Sequence, residues 1–188
     1  YDDEGQLIPH GVADPKRVKN SENLCYQKAI DFIDQHHQQP FFLYYATQLP
    51  HGPCITPNLG QFKDRPWSQK HKEWAGMITH LDRHVGGLLD RLCQYEILDN
   101  TLIIFASDNG YAHWGYMGRQ RYADDPLFRN KGPWRGGKFI AREGGVRVPM
   151  FAHWSGRISA GVSYHTVTLC DFFDTACDLA GVQNPLTT

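Results

Sequence analysis

The spacing of apolar residues along the chain predicts long helices separated by short buried strands. Apolar positions recur with a helical period in residues 21–36, where Ser21 offers an N-cap, and again in residues 69–95. Residues 41–46 and 101–106 are instead short apolar runs without polar alternation, which is typical of strands covered on both faces. Strand, long helix and strand form a βαβ unit, so these two strands are predicted to be parallel.

The rest of the chain completes an α/β pattern. A third strand is predicted at residues 146–154 and a last helix at residues 168–180. Residues 1–20 are polar and loop-like, and two long segments, 47–67 and 107–145, are predicted to be loops because proline, glycine and aromatic residues interrupt any period. We therefore expect an α/β fold whose functional residues lie at the carboxyl ends of its strands.

Composition and charge argue against several kinds of protein. Hydrophobic residues make up 41% and charged residues 21% of the chain, as in globular domains rather than disordered ones. The formal net charge is -1 and no block of like charge occurs, so neither a nucleic acid nor an anionic membrane is indicated as a partner. No apolar run is long enough for a membrane span, and the five cysteines lack the spacing of a zinc site.

A first candidate site follows the second predicted strand directly. Asp108 and Asn109 lie in the sequence Ser-Asp-Asn-Gly, which ends at Gly110. A carboxylate beside an amide carbonyl offers the hard oxygen ligands that calcium or magnesium prefers. The alternative is a plain turn, since Asp-Asn-Gly is a common turn sequence.

Two further segments carry candidate side chains. His51 lies between prolines just after the first predicted strand, where it could face the same crevice as Asp108 and donate a hydrogen bond to an anionic substrate or protonate a leaving group. Glycines surround Arg135 and Lys138, which indicates a closely packed backbone presenting cations to an oxyanion such as sulfate or phosphate. The alternatives are a loop histidine bonded to a nearby carbonyl and a solvated basic loop.

The order of these segments is more informative than any one of them. Four motifs follow one another: P-H-G-P at 50–53, L-D-R-H-V-G-G-L-L at 81–89, D-N-T-L-I-I-F-A-S-D-N-G at 99–110, and R-G-G-K-F-I-A-R-E-G-G-V-R-V-P at 135–149. Weaker matches follow at 153–158 and 171–181, each without an expected proline. Over residues 22–185 the pattern resembles that of the sulfatase family of the alkaline-phosphatase superfamily.

The resemblance implies an alkaline-phosphatase-like fold, with a mostly parallel sheet between helices that is present here in part. It implies that Asp108 and Asn109 are two ligands of a calcium ion, with magnesium as the less favoured metal. His51 and Lys138 correspond to the histidine and lysine that contact the sulfate, one of which helps the leaving oxygen depart. The nucleophile of the family is a formylglycine made from the first residue of C/S-x-P-x-R.

The formylglycine motif does not occur in this chain, and Cys54 has no arginine in register to replace it. We therefore expect residues 1–188 to be the C-terminal part of a single sulfatase catalytic domain, with 1–20 as a loop-like approach, 21–188 as the core segment and the nucleophile upstream. On this interpretation the chain alone is inactive. The resemblance favours a secreted, periplasmic or lysosomal protein and leaves the oligomeric state open.

The expected substrate is a sulfate ester. The loop from Gly110 to Arg129 is rich in aromatic and basic side chains that suit a sulfated sugar, although they could equally pack the loop onto the protein. These side chains are Tyr111, His113, Trp114, Tyr116, Arg119, Arg121 and Tyr122. The alternatives are a phosphatase, phosphodiesterase or phosphonate hydrolase of the same superfamily, and a module that binds sulfated glycans without hydrolysing them.

Overall fold

The computed structural model describes residues 15–52, 54–112 and 125–185 of the chain, with side chains from residue 21 onward. The chain divides into two compact units. The first comprises Tyr1–Thr101 with Ala112–Asn130, and the second comprises Leu102–Tyr111 with Lys131–Thr188.

The first unit is helical. It contains α1 (Pro15–His36), α2 (Gln69–Gln94) and two short 3-10 helices, Gly60–Phe62 and Leu98–Asn100. The two long helices confirm the helical periods of the sequence, and the hydroxyl of Ser68 caps α2 by accepting from the backbone N–H of His71. The predicted start of α1 at Ser21 is wrong, and so is the loop predicted for residues 15–20. Proline is compatible with the first turn of a helix, so Pro15 begins α1 instead of excluding it.

Helices α1 and α2 pack against each other through small and branched apolar side chains. The buried apolar residues among those described are Ala29, Ile30, Ile33, Leu49, Ala75, Met77 and Leu92. Gly87 of α2 allows Tyr26 of α1 to approach, since a Cβ there would lie 2.0 Å from the tyrosine hydroxyl. Near the end of α1, Asp34 accepts from Arg91 at 3.0 Å and from the Tyr95 hydroxyl at 3.1 Å. Burial of each large apolar side chain stabilises this pair by about 1.5–3 kcal/mol.

Residues 41–46 are extended but form no strand, so the prediction of a buried strand there is wrong. Half-buried and exposed residues alternate along the segment, and Phe42 and Tyr44 are 73% and 81% exposed. Side chains of an extended chain point alternately to opposite faces, and in this segment one of the two faces is uncovered. Within the described residues no strand pairs with the segment, so the predicted parallel βαβ pair is not formed.

The second unit is built on two antiparallel strands. Its elements are β1 (Ile103–Ala106), α3 (Glu143–Val146), β2 (Met150–His153) and α4 (Asp171–Ala180). In the sheet, Ile103 lies opposite His153 and Ala106 opposite Met150. The predicted third strand at 146–154 is therefore shorter than expected and antiparallel to β1.

The remaining boundaries of the second unit differ from the predictions for local reasons. The turn of helix at α3 was not predicted, because glycine-rich sequence disfavours helices. Helix α4 begins three residues after the predicted Thr168, whose backbone N–H donates to the carboxylate of Asp171 at 2.7 Å. All five cysteines are free, and no helix in the described part of the chain combines the length and apolarity needed to cross a membrane.

Candidate functional site

The turn after β1 presents two oxygen-bearing side chains. Asp108 is exposed and Asn109 is half-buried. The Ser107 hydroxyl donates to the backbone oxygen of Asn109 at 3.1 Å, and the Asn109 side-chain N–H donates to the backbone oxygen of Gly110 at 3.0 Å. The amide nitrogen of Asn109 is thus engaged within the turn, which leaves its side-chain oxygen available as a ligand.

The glycine-rich segment before β2 lies directly against this turn. The backbone N–H of Gly110 donates to Gly145 at 2.9 Å, and that of Lys138 donates to Tyr111 at 2.7 Å. A Cβ on Gly110 would lie 2.2 Å from the backbone oxygen of Gly144, so only glycine permits this approach. The backbone therefore brings the Ser-Asp-Asn-Gly turn and the Gly-Gly-Lys segment together.

The conformation around Lys138 is specified by its neighbours. Gly136 has a φ of 82°, which glycine adopts without strain. Phe139 has a φ of 76°, which is rare for a residue with a side chain, and it is exposed. Lys138 itself is half-buried, with its ammonium 5.5 Å from the centre of the Phe139 ring. The Lys138 side chain therefore extends from a backbone whose conformation is restricted by positive φ angles before and after it.

Several arginines lie in the same glycine-rich segment as Lys138. Arg135 and Arg142 line an open cleft together with Pro133, Trp134 and Glu143. Arg147 stacks on Trp134 at 4.3 Å from the ring centre and forms an ion pair with Glu143. Cations outnumber carboxylates on this surface, so it attracts anions.

His51 lies in the first unit and is exposed. Its backbone N–H donates to Gln48 at 2.6 Å, and its Nδ1 lies 2.7 Å from the backbone oxygen of Gly52. A carbonyl can only accept, so Nδ1 carries a proton and Nε2 is the nitrogen left to act on a substrate. The other three predicted site residues lie in the second unit, and the shared crevice of His51 and Asp108 stays a prediction.

The side chains of the turn fit part of a calcium site. Carboxylate and amide oxygens are calcium ligands, and within the described residues the Asp108 carboxylate has no hydrogen-bond or ion-pair partner. Calcium takes about six to eight oxygens, and Asp108 and Asn109 supply two side chains. No group of three or more His, Cys, Asp or Glu side chains among the described residues could hold a metal by itself.

Two features of the first unit were missed by sequence reasoning. Glu22 is a buried carboxylate that accepts hydrogen bonds from the segment preceding His51. Tyr45 donates to the buried His84 at 3.1 Å, in the segment predicted as an apolar strand. From the sequence alone, Glu22 and His84 have the appearance of surface residues of helices, and Tyr45 that of one more aromatic residue in the run 41–46. Of the predicted sugar-binding loop, Tyr111 is half-buried and residues 113–124 lie outside the described residues.

Comparison with known proteins gives one consistent family. A family model described as Sulfatase matches residues 4–182 of the chain. The N-acetylgalactosamine-6-sulfatase of Canis lupus familiaris is 34% identical over 171 residues, covering 88% of this chain and 30% of the relative. The arylsulfatase of Hemicentrotus pulcherrimus is 32% identical over 174 residues, covering 93% of this chain and 29% of the relative. The chain thus spans about three-tenths of the length of these curated relatives.

Solved structures agree. The crystal structure of the PsFucS1 sulfatase from Pseudoalteromonas sp. superimposes with a TM-score of 0.75 at 29% identity, covering 95% of this chain and 34% of that one. A second crystal structure, described as Ps i-CgsB, gives a TM-score of 0.72 at 32% identity over 88% of this chain and 35% of that one. This similarity confirms the predicted fold class, an α/β fold of the alkaline-phosphatase type present here in part.

Proposed function

This chain belongs to the sulfatase family, and we propose that the whole protein hydrolyses sulfate esters, with this chain supplying metal ligands and groups that contact the sulfate. The observation that carries the proposal is the pair of backbone hydrogen bonds joining residues 110 and 145 and residues 111 and 138. They hold an oxygen-rich turn beside a cationic segment, which is the combination needed to bind a metal and an oxyanion side by side.

The metal ligands we propose in this chain are the Asp108 carboxylate and the Asn109 side-chain oxygen. Calcium is the expected ion, and when bound it would supply positive charge where the sulfate group binds. We expect the formylglycine nucleophile to come from another part of the protein. Lys138 binds an oxygen of the sulfate group and stabilises its negative charge. The arrangement of the Asn109 amide supports this proposal, because its nitrogen is already bonded within the turn.

For His51 we propose proton transfer to the leaving oxygen. Its Nδ1 proton is held by the Gly52 carbonyl, so a second proton on Nε2 is the one that can be transferred. The charge of the imidazolium also favours binding of an anionic substrate before the transfer. Removal of the His51 imidazole should therefore lower the rate more for esters with poor leaving groups than for activated esters.

A sulfated sugar is the substrate class that we propose. Relatives at 34% and 32% identity are named N-acetylgalactosamine-6-sulfatase, and the cleft lined by Trp134 carries an exposed aromatic ring with arginines around it. Sugar rings stack on aromatic side chains, and guanidinium groups bind sulfate through paired hydrogen bonds.

The proposal is tested by assaying the full-length protein on 4-nitrophenyl sulfate and on N-acetylgalactosamine 6-sulfate. Asp108→Ala and Lys138→Ala should each lower kcat/KM by about 100-fold or more, as loss of a charge-stabilising group does. A chelator should abolish turnover, and calcium should restore it. Asp99→Asn is the matched control, because Asp99 is an exposed carboxylate in a 3-10 helix and should tolerate the change. Unchanged kcat/KM in both site variants, or faster hydrolysis of 4-nitrophenyl phosphate, would contradict the proposal.

A further inference from the structure

A buried carboxylate on α1 holds the chain just before His51. Glu22 is 6% exposed. The Thr47 hydroxyl donates to its Oε2 at 2.6 Å, and the backbone N–H of Gln48 donates to its Oε1 at 3.2 Å. The two carboxylate oxygens therefore accept hydrogen bonds from two consecutive residues, Thr47 and Gln48. Hydrogen bonds to a charged acceptor are stronger than neutral ones.

The hydrogen bonds continue from this carboxylate to His51. The backbone N–H of Leu49 donates to the Thr47 hydroxyl at 3.1 Å, and the backbone N–H of His51 donates to Gln48 at 2.6 Å. The imidazole then bonds to Gly52 through Nδ1 at 2.7 Å. A continuous series of hydrogen bonds thus connects Glu22 with the imidazole of His51, which we propose to act on the substrate.

The described surroundings of Glu22 are hydrogen-bond donors and aromatic side chains. Among the side chains that the structure describes, which begin at residue 21, no lysine or arginine forms an ion pair with Glu22. Burial lowers the pKa of His80 and of His84, so these neighbours offer little positive charge near neutral pH. Burial, helped by the Glu22 charge, raises the pKa of Tyr45 to about 12. Burial of a carboxylate is costly unless hydrogen bonds compensate it, and two of its donors come from the segment that leads to His51.

We propose that Glu22 is a positioning residue for His51: through Thr47 and Gln48 it fixes the backbone from which the imidazole reaches the leaving oxygen. The inference rests on the proposed function, in which His51 donates that proton. It goes further by assigning a role to a helix residue 29 positions away in sequence, which makes no contact with His51 itself.

The competing interpretation is that Glu22 only stabilises the packing of α1, and the same helix provides a control for it. Asp34 is also a carboxylate of α1, and it too accepts hydrogen bonds from a distant part of the unit, from Arg91 and Tyr95. Its bonds lead to α2 and the turn after it rather than to His51. Asp34→Asn therefore removes a comparable structural tie and should leave His51 in place.

The experiment uses the full-length protein and two substrates, 4-nitrophenyl sulfate, whose leaving group needs little protonation, and phenyl sulfate, whose leaving group has a pKa near that of tyrosine, about 10. Glu22→Gln and Thr47→Val should lower kcat on phenyl sulfate by about 10–100-fold, within the range for loss of proton transfer. On 4-nitrophenyl sulfate kcat should fall much less, and KM should change less than about 2-fold for both substrates because the groups that bind the sulfate remain. Thr47→Ser keeps the hydroxyl and should restore the wild-type ratio of the two rates.

The reference variants separate failure of this inference from failure of the proposed function. If His51→Ala shows the leaving-group dependence but Glu22→Gln and Thr47→Val behave like Asp34→Asn, the positioning role is overturned and the function stands. If His51→Ala shows no such dependence, the proposed role of His51 falls and the positioning role with it. A wild-type protein that hydrolyses neither of these esters nor N-acetylgalactosamine 6-sulfate would overturn the proposed function itself. Thermal unfolding identifies any variant that fails to fold, and the smaller change Thr47→Val then decides the outcome.

Discussion

Two histidines of α2 form a hydrogen-bonded cluster between the helices of the first unit. Nε2 of His80 and Nε2 of His84 lie 2.8 Å and 3.3 Å from the side-chain oxygen of Asn23. An oxygen can only accept, so both rings carry their proton on Nε2, and the Nδ1 of His84 accepts from Tyr45 at 3.1 Å. Tyr26 stacks on His84 at 4.3 Å. The cluster is therefore satisfied when both rings are neutral.

The neutral state of this pair predicts a pH dependence of stability. Burial, and for His84 also the neighbouring His80, lowers both pKa values from 6.5 in the folded protein. The unfolded chain then binds more protons just below pH 6.5, so the free energy of unfolding should fall as the pH falls through that value towards the folded pKa values. His80→Gln combined with His84→Gln should make the melting temperature less dependent on pH between about 7.5 and 5.5. This is measured by thermal unfolding across that range.

The control for this prediction is His165→Gln, since His165 is exposed and far from the cluster in sequence. It should leave the pH dependence of the melting temperature as in the wild type. An equal pH dependence in the wild type and in the double variant would mean that other groups govern the acid sensitivity.

Close backbone packing, rather than regular secondary structure, joins the turn after β1 to the segment before β2. A Cβ on Gly110 would lie 2.2 Å from the oxygen of Gly144, and neighbouring backbone cannot yield as a flexible side chain can. Gly110→Ala should therefore destabilise the second unit by about 1–3 kcal/mol, the usual cost of overpacking. It should also lower kcat/KM of the full-length protein by displacing Asp108 and Asn109.

Gly161→Ala is the matched control for Gly110→Ala, because a Cβ on Gly161 meets nothing within 4 Å. Thermal unfolding and kcat/KM measured on both variants should separate them. Equal melting temperatures of the two variants would show that the backbone at residues 144–145 can move away from residue 110 without loss of stability.

The elements that the sequence predicts well are those set by local spacing. Helix α2 has a complete helical period and a capping serine at Ser68, so both its existence and its start follow from nearby residues. The segment 41–46 has the composition of a buried strand, but a strand also requires partners, which local sequence does not contain. The short helix α3 was missed because packing of its glycines against other backbone segments outweighs their low helix propensity.

The same division applies to the candidate site. Asp108, Asn109 and Lys138 could be proposed because ordered motifs surround them, and backbone hydrogen bonds join the two segments that carry them. Glu22 could not be found this way. Its importance depends on burial and on hydrogen bonds to residues 47 and 48, which are contacts between segments far apart in the chain. Sequence patterns identify chemistry-bearing residues more readily than the residues that hold them in place.

Large apolar side chains are exposed in both units. Phe42 and Tyr44 are exposed in the first unit, and Val162 and Tyr164 are 80% and 96% exposed in the second. Isolated exposed apolar residues are ordinary, but exposure of this extent recurs along whole segments here. The match covers only 29–30% of the length of the curated relatives. We expect further chain of the whole protein to cover these faces.

The incomplete set of proposed metal ligands gives a prediction for the 188-residue chain in isolation. Calcium affinity rises with the number and charge of its oxygen ligands, and Asp108 with Asn109 supplies one carboxylate and one amide. The isolated chain should therefore bind calcium with a Kd no tighter than about 1 mM, the weak end of protein calcium sites. It should also show no turnover of 4-nitrophenyl sulfate, because the chain has no C/S-x-P-x-R motif from which the proposed formylglycine could be made.

Calorimetric titration with calcium and a sulfatase assay, each run beside the full-length protein, measure both expectations. Asp108→Asn distinguishes the proposed site from scattered surface carboxylates: it should weaken calcium binding to the full-length protein and change little in the isolated chain. Micromolar calcium binding by the isolated chain, lost in Asp108→Asn, would show that the described residues form a complete site without further ligands. Robust turnover by the isolated chain would instead require a nucleophile among its own 188 residues and would overturn the assignment of that role to formylglycine.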